Sequence, residues 1–62
     1  MFVACPTTID LCDAEWYDEL ADAKQNALDW SVERHGENVI VYEATELDDG
    51  ELKFNKLYSI SA

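Results

Sequence analysis

The sequence predicts a single α+β domain, in which one helix packs on a small, mainly antiparallel sheet in the order β-α-β-β. Three observations support this: a length of 62 residues, a stretch of helical periodicity, and two strand-like runs around an Asp-Gly turn. A chain this short buries only about 60% of its unfolded surface, which suffices for one core. We therefore expect one domain over residues 1–62 with a two- or three-stranded sheet.

The composition is that of a folded protein. Hydrophobic residues make up 48% of the chain and aromatic residues 11%, with two glycines and one proline. Disordered chains are instead poor in aromatic residues and rich in proline and serine. A domain of this size usually needs an added staple, which a disulfide, a metal or a second copy of the chain would supply.

Residues 18–35 carry the periodicity of an amphipathic helix. Arg34 and His35 would stand in its last turn, where positive charge complements the helix dipole. Gly36 offers the left-handed conformation that commonly ends a helix. The apolar positions recur at steps of three and four and share one face: Leu20, Ala23, Ala27 and Trp30.

The start of this helix has two solutions. Asp10 or Asp13 can cap a longer helix, whereas Asp18 can cap a shorter one. We favour a start between residues 10 and 14, because Trp16 then extends the apolar face. With the shorter helix, the preceding residues form an extended loop that exposes its aromatic side chains.

A hairpin is predicted after Gly36. The run "NVIVYEAT" is rich in β-branched residues, "ELDDGE" supplies the turn with Asp49 and Gly50 at its tip, and "LKFNKLYSI" alternates as the second strand. Opposite charges that face each other across strands contribute about 0.2–1 kcal/mol per pair, which favours this register. The register pairs Leu47 with Leu52, Glu46 with Lys53, Glu43 with Lys56, Val41 with Tyr58, and Val39 with Ile60.

Both faces of the predicted hairpin are apolar, and one helix can cover only one of them. The N-terminal "FVAC" is a candidate third strand beside the hairpin. One face gathers Val39, Val41, Leu47, Leu52, Phe54, Tyr58 and Ile60, and the other carries Ile40, Tyr42, Ala44 and Leu57.

Charge limits the classes of partner. Fourteen acidic and four basic side chains give a formal net charge of −10. Binding to nucleic acid or to an anionic membrane depends on clustered lysine and arginine, which this sequence lacks. We therefore expect no direct nucleic-acid binding and no membrane binding. The expected partner is a basic protein surface or a cation.

We expect no secretory signal and no membrane-spanning segment in this sequence. The apolar start "MFVAC" ends at Pro6, short of the roughly 7–15 residues of a secretory signal core. No apolar stretch approaches the roughly 20 residues of a membrane span. We expect a soluble protein of the cytoplasm, where Cys5 and Cys12 normally stay reduced.

No motif for catalysis or metal binding emerges. Cys5, Cys12 and His35 are zinc-type ligands, but their spacing fits no standard zinc site. The turn "ELDDGE" lacks the alternating oxygen ligands of a calcium-binding EF-hand. One histidine at a helix end gives no acid–base pair. We expect no enzyme activity, no cofactor, and no catalytic or metal-binding residue.

The stretch "TIDLCDAEWYDELAD", residues 8–22, places six carboxylates and no basic residue around a Trp and a Tyr. The helix dipole accounts for about two or three of these charges near the first turn. Aromatic anchors surrounded by charge that steers a basic partner form a suitable binding hot spot. The predicted partner-binding residues are Asp10, Asp13, Glu15, Trp16, Tyr17, Asp18, Glu19 and Asp22.

Two alternative functions stay open. The spare apolar face, with Ile40, Tyr42 and Leu57, can pair two copies of the chain as a homodimer. The acidic surface can also imitate the phosphates of nucleic acid and occupy the basic groove of a DNA- or RNA-binding protein. The lysines predicted opposite Glu43 and Glu46 weaken this mimicry.

The segment "YDELADAKQNALDWSVERHGENVIVYEATELDDGELK", residues 17–53, resembles very small uncharacterised bacteriophage proteins. They share a short strand, a "DELADAK"-type helix ending in His-Gly, and a "VIVYEA"-type strand before a turn and a last strand. The resemblance is one of pattern, with no specific family and no binding residues to transfer, and residues 6–16 depart from it. It implies a phage-encoded protein that binds and modulates a host protein inside an infected bacterium.

Overall fold

The computed structural model shows a four-stranded antiparallel sheet with one helix across one face. It describes residues 1–11 and 13–62 in full and Cys12 by its backbone alone. The elements are β1 (Phe2–Pro6), a short 3₁₀ helix (Leu11–Asp13), β2 (Glu15–Tyr17), α1 (Leu20–Glu33), β3 (Val39–Glu46) and β4 (Leu52–Ile60). The strand order is β2-β1-β3-β4. The α+β class is confirmed, with four strands where two or three were expected.

The helix start is the main correction to the predicted elements. Helix α1 begins at Leu20, so the favoured start between residues 10 and 14 is wrong. The alternative, a shorter helix capped by Asp18, is close to the observed start. Residues 15–17 instead pair with β1 as an edge strand, with Tyr17 opposite Phe2. Adjacent Trp and Tyr suit a strand, because alternation sends their large rings to opposite faces of the sheet.

A stripe of small residues packs α1 against the sheet. Ala23, Ala27 and Ser31 recur every four residues, and none of them is exposed to solvent. The alanines pack with fully buried strand residues, Ala4, Val39 and Val41, in the core. Small side chains let the helix backbone approach the strands closely. Larger residues surround this contact: Phe2, Tyr17, Leu20, Trp30 and Ile60.

Helix α1 ends at Glu33, so Arg34 and His35 follow the helix and do not stand in its last turn as predicted. The left-handed conformation predicted for Gly36 is confirmed. His35 and Gly36 both adopt positive φ angles, 59° and 88°. The Gly36 N–H donates to the carbonyl of Ser31 at 2.8 Å. Glycine adopts this backbone conformation without the steric penalty that a Cβ brings, so the chain reverses sharply into β3.

Hydrogen bonds around Ser31 and Glu37 connect three parts of the chain. The buried Ser31 hydroxyl donates to the Glu37 carbonyl at 2.7 Å and accepts the Ala62 N–H at 3.0 Å. The Glu37 carboxylate accepts from the Thr8 hydroxyl at 2.6 Å and from Arg34, which also donates to Thr8. The end of α1, the β1–β2 connection and the C-terminal residue are therefore held together.

Two of the five cross-strand pairs predicted for the hairpin are present in the structure. Val39 opposite Ile60 and Val41 opposite Tyr58 are confirmed. A β-bulge then shifts the register by one residue, so that Tyr42 faces Lys56 and the predicted charge pairs do not form. The remaining pairs of the ladder place Glu43 opposite Asn55, Ala44 opposite Phe54, Thr45 opposite Lys53, and Glu46 opposite Leu52. A bulge inserts one extra residue into one strand, which moves every later side chain to the other face.

The bulge changes the composition of the two sheet faces. Phe54 and Leu52 were predicted beside Val39 and Val41, but they lie on the opposite face with Ala44. Asp49 and Gly50 lie in the turn as predicted, but the two-residue size of the predicted tip is wrong, because Asp48 belongs to the turn as well. The turn is wider: Leu47 N–H donates to the Glu51 carbonyl, and Gly50 N–H donates to Leu47.

The face away from α1 is partly covered by the chain itself. Val3, Cys5 and Ile40 on this face are buried, although α1 packs on the other side. The Cys5 thiol donates to the Ile9 carbonyl at 3.0 Å, which brings the β1–β2 connection over this end of the face. Ile40 is therefore covered within the chain. The homodimer alternative required it on an exposed surface, and in this respect that alternative is wrong.

In the described part of the chain, no helix has the length and apolar character to cross a membrane.

Replacement of Ala27 by leucine should destabilise the fold. The residue is fully buried between α1 and the sheet, so the added carbons force the helix outwards. We expect the free energy of unfolding to fall by about 1–3 kcal/mol in urea denaturation. Ala21→Leu at an exposed helix position is the matched control and should change it by less than about 0.5 kcal/mol. Equal effects of the two substitutions would contradict the close packing.

Replacement of Glu37 by glutamine should flatten the acid dependence of stability. The Thr8 hydroxyl, and then Arg34, lower the pKa of Glu37 below its ordinary value of 4.5. Its stabilisation is present above that value and is lost as pH falls through the lowered pKa. Urea midpoints measured between neutral pH and about pH 3 should decline less steeply in Glu37→Gln than in the wild type. If the urea midpoints of the two proteins declined in parallel, protonation of Glu37 would not contribute to the loss of stability in acid.

Candidate functional site

An acidic groove lies between the edge strand β2 and the helix α1. It has a volume of about 550 Å³, and its lining residues are Glu15, Tyr17, Asn26, Asp29, Trp30 and Glu33. Three of these six side chains are carboxylates and two are aromatic. The groove thus combines negative charge with flat apolar surface in one concave region.

Local structure explains how these side chains converge. Glu15 and Tyr17 alternate with Trp16 along β2, and Tyr17 packs on the core under α1, so both project to the helix side. On α1, the positions that face them recur at steps of three and four and form one polar stripe beside the buried one: Asp22, Asn26, Asp29 and Glu33. Trp30 lies on the helix between the two stripes and lines the groove.

The carboxylates of the groove lie without a nearby cation. Among residues 1–11 and 13–62, the one ion pair joins Arg34 to Glu37 at the end of α1. Lys24 lies on the other flank of the helix, with its Nζ 4.4 Å from the centre of the Tyr58 ring. Asp29 accepts a hydrogen bond from Gln25 at 3.3 Å, which leaves its charge in place. The negative potential of the groove is therefore uncompensated by the groove's own residues.

The like charges on α1 reduce its stability. Asp29 and Glu33 are four residues apart, and such like-charged pairs destabilise a helix by about 0.2–0.5 kcal/mol. Asp22 adds a third carboxylate to the same stripe. A cation held in the groove would attract each of these carboxylates and so offset the repulsion between them.

Tyr17 reports on the electrostatics of the groove. Burial against the core raises the pKa of its phenol, and the charge of Glu15 raises it further. Both effects disfavour a phenolate, so the Tyr17 hydroxyl stays a hydrogen-bond donor over a wider pH range.

The structure divides the predicted partner-binding residues among several places. Glu15 and Tyr17 line the groove, and Asp22 belongs to the same stripe of α1. Trp16 projects to the other sheet face, where its ring meets Phe54 edge-on with centroids 5.9 Å apart. The remaining residues lie outside the groove: Asp18 and Glu19 connect β2 to α1, and Asp10 and Asp13 flank or end the 3₁₀ helix.

Four groove residues were missed by the sequence analysis: Asn26, Asp29, Trp30 and Glu33. The helical spacing of Asp22, Asn26, Asp29 and Glu33 was available as a signal, because it places four polar residues on one stripe. Trp30 was assigned to the core, which is correct for part of its ring, since it packs against the core cluster and is half-buried.

In the fully described residues, no group of three or more side chains is arranged to hold a metal ion. Cys5 is buried, whereas His35 is exposed in the turn after α1. The side chain of Cys12 lies outside the described part, and so does any pairing between the two cysteines.

Comparisons with known proteins give no relative of this chain: no family matches it, and no curated protein or solved structure is significantly similar.

Substitution of Glu15 by glutamine should lower the pKa of Tyr17. The removed charge is the second of two causes, so the pKa should move only part of the way towards 10.0. The measurement is a pH titration of the tyrosine ring carbons by NMR. Asp48→Asn at the hairpin tip removes the same charge far from β2 and should leave Tyr17 unchanged. An unchanged Tyr17 titration in Glu15→Gln would contradict the electrostatic contact between the two side chains.

Proposed function

We propose that this protein is a small, non-enzymatic binding module that holds a basic segment of another protein in the acidic groove. The observation that carries the proposal is the convergence of Glu15, Asp29 and Glu33 with two aromatic rings in one open groove. The two rings also pack against the core, but the clustered charge has no evident structural need, since like charges on one helix stripe reduce stability.

Arginine is the side chain that suits the groove best. Its guanidinium forms two parallel hydrogen bonds to a carboxylate and stacks on aromatic faces, and it is more weakly hydrated than lysine. Tyr17 and Trp30 supply those faces, and a cation over such a ring gains about 0.5–2 kcal/mol, depending on its desolvation. An arginine in the groove would contact both kinds of surface at once.

The other acidic residues of the predicted site act at longer range in this proposal. Asp10, Asp13, Asp18 and Glu19 are exposed on the connections before and after β2. Clustered charge of one sign raises the association rate of an oppositely charged partner, and salt screens the effect. Trp16 takes no part in this site, because its ring lies on the other face of the sheet.

We further propose a bacterial host protein as the partner, with the chain encoded by a phage, in keeping with the resemblance of residues 17–53. If the basic face of the partner is itself a DNA- or RNA-binding groove, the chain would act as a mimic of nucleic acid. The observed hairpin register favours such mimicry more than the predicted register did. Asn55 and Leu52, rather than lysines, stand opposite Glu43 and Glu46.

The test compares two triple variants of equal net charge. The groove variant carries Glu15→Gln, Asp29→Asn and Glu33→Gln, and the control carries Glu46→Gln, Asp48→Asn and Glu51→Gln at the hairpin end. A fluorescently labelled arginine-rich peptide serves as the probe in anisotropy titrations at moderate salt. We expect the groove variant to weaken binding at least about tenfold, or roughly 1.4 kcal/mol, and the control by about threefold or less.

Equal weakening by the two variants would contradict a localised site and indicate attraction by net charge alone. Circular dichroism verifies folding, and the groove variant should fold at least as stably as the wild type, because like charges are removed from α1. Capture from a nuclease-treated bacterial lysate then identifies the natural partner. That partner should bind the wild type and the control and be lost from the groove variant, and added DNA should displace it if mimicry operates.

A further inference from the structure

The sheet face opposite α1, here called the open face, has exposed apolar surface that the chain does not cover. Trp16 is 39% exposed, Leu52 49% and Met1 57%. Phe54 lies between Trp16 and Tyr42, in edge-on contact with both rings. We propose that a second copy of this chain covers the open face and forms a two-fold symmetric dimer.

The bulge in β4 is what creates this surface. Without the register shift, Phe54 and Leu52 would project towards the α1 side, as the uninterrupted hairpin predicts. With it, Phe54 stands beside Ala44 and Leu52 beside Glu46 on the open face. Leu57, in the bulge region, is 39% exposed. An irregularity in the ladder therefore moves apolar side chains away from the core and onto an exposed face.

Among the strand residues, those on the open face carry no net charge. The strands contain five charged residues, of which Glu15, Glu43 and Lys53 project to the α1 side by alternation along the strands. Glu46 and Lys56 alone project from the strands to the open face, and their charges cancel. Two chains of net charge −10 repel each other, and contact through this face keeps the acidic groove and the hairpin tip outside.

Charge complementarity specifies a second copy as the occupant. Lys56 pairs with Tyr42 and Glu46 pairs with Leu52, so the two charges lie two residues to either side of the Ala44–Phe54 pair. A two-fold axis that crosses the strands at that pair places Lys56 of each copy over Leu52 and beside Glu46 of the other copy. The same axis stacks the two Phe54 rings at the centre. An isologous interface requires self-complementarity of this kind.

The size of the patch fits the core of such an interface. Its large apolar side chains expose on the order of a few hundred Å², and a stable interface buries about 800 Å² per partner. The remainder would come from the polar strand residues around them. Stacked sheets lie about 10 Å apart, which the rings of Trp16 and Phe54 can span from both sides.

Sedimentation velocity over a concentration series tests the dimer. The wild type should change from monomer to dimer below about 1 mM. Lys56→Glu and Glu46→Lys should each raise the dimer dissociation constant about tenfold, and the double variant should restore it to within about threefold of the wild type. Lys53→Glu is the control for Lys56→Glu, because it changes the net charge equally on the α1 side.

A further variant tests the apolar contact. Leu52→Asp puts a charge on a residue that is already half exposed, so it should leave the fold intact by circular dichroism and abolish the dimer. A monomeric wild type at about 1 mM overturns the proposal, and so does a dimer that tolerates Leu52→Asp. Equal effects of Lys56→Glu and Lys53→Glu, or no restoration in the double variant, overturn the two-fold arrangement.

Discussion

The close contact between α1 and the sheet is the constraint on which the rest of the structure depends. Ala23, Ala27 and Ser31 leave no room between the helix and the strands for larger side chains, so Trp30 is displaced to the flank that faces β2. The same contact buries the Ser31 hydroxyl where it can bond both the Glu37 carbonyl and the last residue of the chain. One stripe of small residues thus fixes the position of the helix and opens the groove beside it.

The two faces of the sheet differ in chemistry because of two irregular features. Edge strand β2 sends Tyr17 to the helix side and Trp16 to the other side, so each face receives one large ring. The bulge in β4 then adds Phe54 to the face of Trp16. The helix side carries the acidic groove, whereas the open face carries aromatic surface with balanced charge. In this account a charged ligand and an apolar partner bind at separate places on a very small protein.

Sequence patterns predicted what repeats over several turns or strand positions and missed what depends on one residue. The apolar stripe of α1 was correct, because it depends on regular spacing. Gly36 adopts the left-handed conformation predicted for it, but the helix already ends at Glu33. The helix start was predicted too early because Trp16 lies four residues before Leu20, a spacing that suits a helix. The strand that contains Trp16 has only three residues, which is too short to show the alternation typical of a strand. The bulge was not predictable, because both faces of the hairpin are apolar and a one-residue shift exposes no obvious polar group to the core. The groove depends on β2 and was therefore missed in part.

We propose that the negative charge of this protein includes one organised site, and NMR mapping of a bound peptide can locate it. An arginine-rich peptide is titrated into ¹⁵N-labelled protein, and backbone and Trp side-chain amide shifts are followed at moderate salt. We expect the largest shifts at Glu15, Tyr17, Asp29, Trp30 and Glu33. The indole N–H of Trp30 should shift and that of Trp16 should not. Equal shifts in the groove and in the acidic hairpin tip would contradict it, because they would indicate a diffuse negative surface.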